Sequence, residues 1–160
     1  MIKLNMTVIA IQDMERSLAF YETFFGKGIE LDLGWCKTLS CGVTLQAHFA
    51  EVTGFSEELL IYRSHSMGLY FETEDFDSFI ALLEEHPEVE KLHEPKACPW
   101  LQRNVHIYDP DGHLIEVAET MYSVGCRLFS EGKGIEETAK LTFFPIDTVR
   151  QWKQQYLQNV

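Results

Sequence analysis

The sequence predicts an α+β fold: two copies of one βαβββ unit followed by a helical tail. Three observations carry the prediction. A strand-then-helix pattern recurs so that a shift of 62 residues carries Asp13 onto Asp75 and Leu18 onto Ile80. A sharply specified turn, Asp109-Pro110-Asp111-Gly112, closes a hairpin in the second copy, and the charge balance changes near residue 120.

In the first copy, Met6 to Ala10 alternates as a strand, and Asp13 stands where a carboxylate accepts from the free N–H groups of a helix start. Met14, Leu18, Tyr21 and Phe25 follow at helical spacing, and Gly26 supplies a stop. The second copy opens on Gly68 to Glu74, with Asp75 as cap, Phe76, Ile80 and Leu83 as the stripe, and Pro87 as the end. The remaining strands are expected at Ile29–Leu33, Trp35–Ser40 and Val43–Ala50, then around Val89–Leu92, Asn104–Tyr108 and His113–Glu119. The expected organisation is a body over 1–120, with paired modules of about 1–60 and 66–120. Together they form a curled mixed sheet around a concave cavity, and C-terminal helices follow over 121–160.

The hairpin turn gives the firmest local geometry. A type I turn at Pro110-Asp111 with Gly112 left-handed pairs Asp109 with His113, Ile107 with Ile115 and His106 with Glu116. The two isoleucines then share the buried face, and His106 faces Glu116 on the other. The tail reads as helices over Tyr122–Glu131 and Ile135–Leu141, broken at Gly132-Lys133-Gly134, with a third entered at Pro145. Its pattern looks like a helix-turn-helix, yet the last helix offers only Arg150 and Lys153 as basic residues. Phe129, Leu141, Phe143, Phe144, Val149 and Trp152 instead suggest an appendage packed on the body or on a dimer mate.

Composition narrows the function. The chain of 160 residues carries 25 acidic and 13 basic side chains, a net −12. Residues 121–160 hold five basic and four acidic residues, which leaves the body at −13 and the tail at +1. Nucleic acid is not expected as a partner of so acidic a body. No apolar run reaches the ~18–20 residues of a membrane span, and the N-terminus lacks the pattern of a signal peptide. Cys36, Cys41, Cys98 and Cys126 form no CxxC pair and read as reduced thiols, so a cytoplasmic location is expected.

The segments QDMERSLAFYETFFG, LYFETEDFDSFIALLEE and above all VHIYDPDGHLIEVAE resemble the vicinal oxygen chelate superfamily of glyoxalase I, bleomycin-resistance proteins and extradiol dioxygenases. Pro99-Trp100-Leu101-Gln102-Arg103 resembles the approach to the last hairpin in some members. The resemblance implies two paired modules, commonly a homodimer, and in the enzymes a divalent metal. That metal is held by His on the first strand, Glu on the fourth, His or Gln on the fifth and Glu on the eighth, and acts as a Lewis acid. Here those positions carry Met6, Gln46, Gly68 and Glu116, a set that keeps only the last carboxylate. The expectation is therefore a small-molecule-binding protein without the usual metal or any other cofactor.

Strand parity places Gln46, His48, Tyr70, Glu72, His106 and Glu116 on the concave face. Gln46, His48, Tyr70 and Trp100 are the candidate ligand wall, with Arg103 near the mouth as a clamp for an acidic group. His106 and Glu116 are the candidate catalytic pair. The alternative is a lyase, isomerase or dioxygenase, which would use either that acid–base pair or a metal relocated to His48, Glu72, His106 and Glu116.

Overall fold

The structure, a computed structural model, describes residues 1–26 and 28–159. It divides into two compact units, one of Met1–Gly68 with Tyr108–Leu114 and one of Leu69–Ile107 with Ile115 onward.

The first unit holds β1 (Thr7–Ala10), α1 (Met14–Phe25), β2 (Ile29–Asp32), β3 (Cys36–Leu39), β4 (Val43–Gln46) and a short α2 (Phe49–Thr53). The sheet order is β1-β4-β3-β2, with β1 parallel to β4 and the other pairs antiparallel. Ile9, Leu39, Val43 and Leu45 are buried in it; truncating Leu45 to Ala would cost about 2–5 kcal/mol through lost burial and the cavity left behind. Asp13 caps α1, its carboxylate accepting from the Arg16 N–H.

The buried face of α1 shares only Tyr21 with the expected stripe. Ser17, Phe20 and Tyr21 are buried, whereas Met14, Leu18 and Phe25 are only partly covered. The cause is polar and distant in sequence. The turn at 108–114 belongs to this unit, and its two carboxylates sit against α1. Asp111 accepts from Gln12 N at 3.1 Å, Arg16 Nη2 at 2.9 Å and Ser17 Oγ at 3.0 Å. Asp109 accepts from the Tyr21 hydroxyl at 3.1 Å and from both the backbone and the ring of His113. Burial and then the Asp109 charge hold the Tyr21 phenol well above its ordinary pKa. The turn has the expected form: Gly112 N donates to Asp109 O, Asp109 N donates to His113 O, and Gly112 lies at φ 85°.

The second unit holds β5 (Gly68–Thr73), which starts at the unit boundary, and α3 (Phe76–Glu84), β6 (Lys91–Ala97), β7 (Arg103–Tyr108) and β8 (Leu114–Glu119), in the order β5-β8-β7-β6. Asp75 caps α3 through the Ser78 N–H. Phe76, Phe79 and Leu83 are buried, so Phe79 takes the place foreseen for Ile80. Strand β6 begins later than expected and contains Pro95, which an edge strand tolerates; its pairing with β7 slips twice. Val105, Ile107, Ile115 and Val117 point to one buried face.

Three helices follow, α4 (Met121–Ser130), α5 (Ile135–Thr142) and α6 (Ile146–Asn159), close to the expected bounds. They pack on one another around Val124, Leu128, Phe129 and Val149. Gly125 lets Trp152 approach, since a Cβ there would meet the indole at 2.9 Å. Phe143, expected in this packing, is instead 72% exposed, held at the end of α5 with φ 62°. No helix among the described residues is long and apolar enough to cross a membrane.

Candidate functional site

Alternation along β7 sorts the second unit's side chains. Arg103, Val105 and Ile107 face α3, while Gln102, just before the strand, and Asn104 and His106 face the other way. Tyr70 and Glu72 from β5 and Glu116 from β8 share this second, open face. The loop before β7 has the same form as the Asp109 turn. Leu101 N donates to Cys98 O, Cys98 N donates to Gln102 O, and Leu101 takes the left-handed position at φ 67°. Trp100 thereby stands at the apex, beside the open face.

Trp100 Nε1 donates to Gln102 Oε1 at 2.8 Å; because an indole can only donate, this contact fixes the orientation of the Gln102 amide. Gln102 Nε2 then donates to the Tyr70 hydroxyl at 2.9 Å and to the Glu119 carbonyl at 2.7 Å. Tyr70 donates in turn to Glu72 Oε1 at 2.8 Å. Partial burial and the bond to Glu72 push the Tyr70 phenol up to about 12, against the opposing donation from Gln102. Tyr70, Glu72, Trp100 and Gln102, with Met121, Thr142, Phe143 and Phe144 of the tail, line a pocket of about 430 Å³.

Beside it lies a second polar group. Asn104 Nδ2 donates to Glu116 Oε1 at 2.8 Å and to Cys98 Sγ at 3.3 Å, and Asn104 Oδ1 is buried with no partner. His106 Nε2 stands 3.5 Å from Glu116 Oε2, as the hairpin register foresaw, and His106 Nδ1 is 2.8 Å from His93 Nε2. Burial, with His93 and Lys96, lowers the His106 pKa although Glu116 works the other way. Among the described residues no three His, Cys, Asp or Glu side chains are grouped to hold a metal ion.

Arg103 is committed elsewhere. Its guanidinium donates to Asp77 Oδ1 and Glu119 Oε1, each at 2.7 Å, and lies 5.1 Å over the Phe76 ring. Its odd position on β7 turns it toward α3, so it is not at the mouth of the open-face pocket. Arg127 of α4 adds a second cation to the buried Glu119 at 3.1 Å.

In the first unit, β4 ends at Gln46 and His48 adopts φ 52° before α2. Strand parity therefore does not reach His48, which is exposed and lies 4.9 Å from the Trp35 ring. Gln46 is nearly buried, and its Nε2 donates to the carbonyls of Trp35 and Ala47. Met6 Sδ accepts from the Thr44 hydroxyl at 2.9 Å. Sequence reasoning placed Tyr70, Trp100, His106 and Glu116 on the open-face neighbourhood but passed over Gln102, Asn104 and His93. The first two are detectable by their even spacing, four and two residues, from His106; His93 is not, because the bulged register of β6 sets it.

A sequence model described as a glyoxalase-like domain matches residues 4–122. Among solved structures, a protein of unknown function from Agrobacterium tumefaciens str. C58 is 28% identical with a TM-score of 0.64, covering 74% of this chain and 94% of that one. A glyoxalase/bleomycin resistance protein/dioxygenase family enzyme from Burkholderia phytofirmans PsJN is 17% identical, TM-score 0.62, covering 72% and 96%. A glyoxalase-related enzyme from Fulvimarina pelagi is 24% identical, TM-score 0.57, covering 71% and 86%. The last two show likeness of fold alone. No curated protein matches the chain in sequence.

Proposed function

The chain belongs to the glyoxalase-like domain family, within the vicinal oxygen chelate superfamily, and from that premise we propose that it binds a small organic molecule on the open face of the second sheet. The observation that carries this reading is the pocket of about 430 Å³. Its size is within the ~300–1,000 Å³ of small-molecule sites, and it has the usual make-up of aromatic walls with a few placed polar groups. Tyr70 and Trp100 form the wall, with Glu116 and His106 beside it.

The residues at the family's ligand positions do not fit a divalent metal. Met6 offers a thioether already engaged by Thr44, Gln46 spends its amide hydrogens on backbone carbonyls, and Gly68 has no side chain. One carboxylate, Glu116, remains, and it is bonded to Asn104. Hard divalent ions demand more oxygen or imidazole donors than this. Binding is accordingly proposed to proceed without a metal cofactor, in a homodimer; exposed Leu31, Leu33 and Trp35 in the first unit are apolar surface consistent with pairing.

The test is calorimetric and fluorimetric screening of the purified chain against a small-molecule library, alongside elemental analysis. Hits that Trp100→Ala abolishes support the reading. Stoichiometric metal that disappears in Glu116→Gln would overturn it.

A second reading rests on His106. Bonded to His93 and lowered in basicity, its imidazole faces Glu116, the arrangement of an acid–base pair for a proton-transfer isomerisation. Turnover abolished by His106→Ala with ligand affinity kept would favour it; its survival in that variant would exclude it.

A further inference from the structure

We propose that the open-face pocket selects an organic cation bearing N–H donors, and that the C-terminal tail is part of the recognition; this rests on the ligand-binding reading above. The argument is an inventory of donors and acceptors. The lining side chains that can donate are those of Tyr70, Trp100, Gln102 and Thr142. Each donor is already spent. The indole N–H goes to Gln102, the two Gln102 hydrogens go to Tyr70 and the Glu119 carbonyl, the phenol goes to Glu72, and the Thr142 hydroxyl goes to the Thr138 carbonyl at 2.8 Å.

The chain of bonds therefore runs one way, from Trp100 through Gln102 and Tyr70 to the Glu72 carboxylate. What it leaves at the pocket is an acceptor and a negative charge. Among the described residues Glu72 is the one charged lining residue, and no Lys, Arg or His shares the lining with it. Glu116 is near enough to act on Tyr70 in the same direction. An anionic or purely accepting ligand would find no unspent side-chain donor among the described lining residues, whereas an ammonium supplies what they lack.

The walls suit the same ligand. Tyr70, Trp100, Phe143 and Phe144 give four aromatic rings, whose negative faces attract cations. Phe143 and Phe144 come from the turn between α5 and α6, beyond the residues 4–122 matched by the family. Phe143 is a non-glycine residue held in the left-handed region while 72% exposed, a costly conformation. A ligand in the pocket would give that ring a partner.

The experiment titrates the full chain with 2-phenylethylammonium, 2-phenylethanol and 3-phenylpropanoate, one skeleton in three charge states, following Trp fluorescence and heat. The expected result is at least tenfold tighter binding of the ammonium than of either other probe, with the preference abolished in Glu72→Gln. Phe143→Ala, at an exposed position and with its fold checked by circular dichroism, is expected to weaken the ammonium at least threefold. Tighter binding of the carboxylate, a preference that survives Glu72→Gln, or no binding by any of the three overturns the charge assignment. Unaltered affinity in Phe143→Ala overturns the role of the tail. Equal binding of all three probes, lost in Trp100→Ala, overturns the cation inference while supporting the small-molecule site.

Discussion

Tyr70 and Glu72, two residues apart on one strand, share a hydrogen bond of 2.8 Å in which the phenol is the donor. This geometry makes the ionisation of Tyr70 a reporter of the site. Glu72→Gln removes one of the causes that raise its pKa to about 12, and Gln102→Ala removes one that lowers it. Tyrosine-ring NMR titration should show Tyr70 ionising at lower pH in the first variant and higher in the second. A folded pKa above the ordinary phenol value means that its contribution to stability is complete below pH ~10 and lost as pH rises toward 12. Identical titration curves in both variants would contradict the hydrogen-bond direction.

The Asp111 carboxylate is fully buried and accepts from three groups around α1. Asp111→Ala leaves a backbone N–H, a hydroxyl and a guanidinium without their acceptor, and should cost about 3–5 kcal/mol in urea unfolding. Asp111→Asn keeps one accepting oxygen and should cost about 1–3 kcal/mol. A loss below 1 kcal/mol in the alanine variant would show that water replaces the carboxylate.

Glu119 joins the sheet to α4. Burial alone would raise its pKa, but the bonds from Arg103 and the charge of Arg127 outweigh it and hold the carboxyl below the usual glutamate range. The folded pKa is depressed, so the stabilisation is present above the ordinary glutamate pKa and lost as pH falls through the lower folded value. Glu119→Gln should cost about 2–4 kcal/mol at pH 7 and less in acid. Hydrogen exchange should show the loss first in α4, and an equal cost at every pH would rule out the ionic account.

His106 should titrate below a free histidine. His93→Ala removes a neighbour that lowers its pKa and should raise it; Glu116→Gln removes the one opposing influence and should lower it further. Because the unfolded chain binds that proton more readily, this residue's contribution to stability is complete above the unfolded pKa of ~6.5 and declines as pH falls. Imidazole NMR resonances followed from pH 4 to 8 would decide it.

Local signals made much of the architecture readable. Asp13 and Asp75 are caps because a carboxylate before an apolar stripe has few other uses, and Asp109 to Gly112 has one good turn geometry. The helices of the tail are delimited by glycine and proline. What was not readable depends on distant contacts. Ser17 is buried because Asp111 reaches it from 94 positions away, and no periodicity in α1 reports that bond. His48 left the expected strand because the chain turns left-handed there. The donor chain from Trp100 to Glu72 needs three segments brought together, so its members were visible singly and its direction was not.

The carboxylates of the 108–114 turn complete α1, which bears on the order in which the protein is made. Gln12, Ser17 and Tyr21 emerge early from a ribosome, and their acceptors follow some ninety positions later. The first copy of the duplicated unit thus waits, with its helix partly unsealed, until the second copy's hairpin exists. High sequence separation of this kind slows folding, because the loop must close before its contacts repay the lost entropy. A nascent chain arrested before Asp109 should therefore remain protease-sensitive around α1, and one extended past His113 should not.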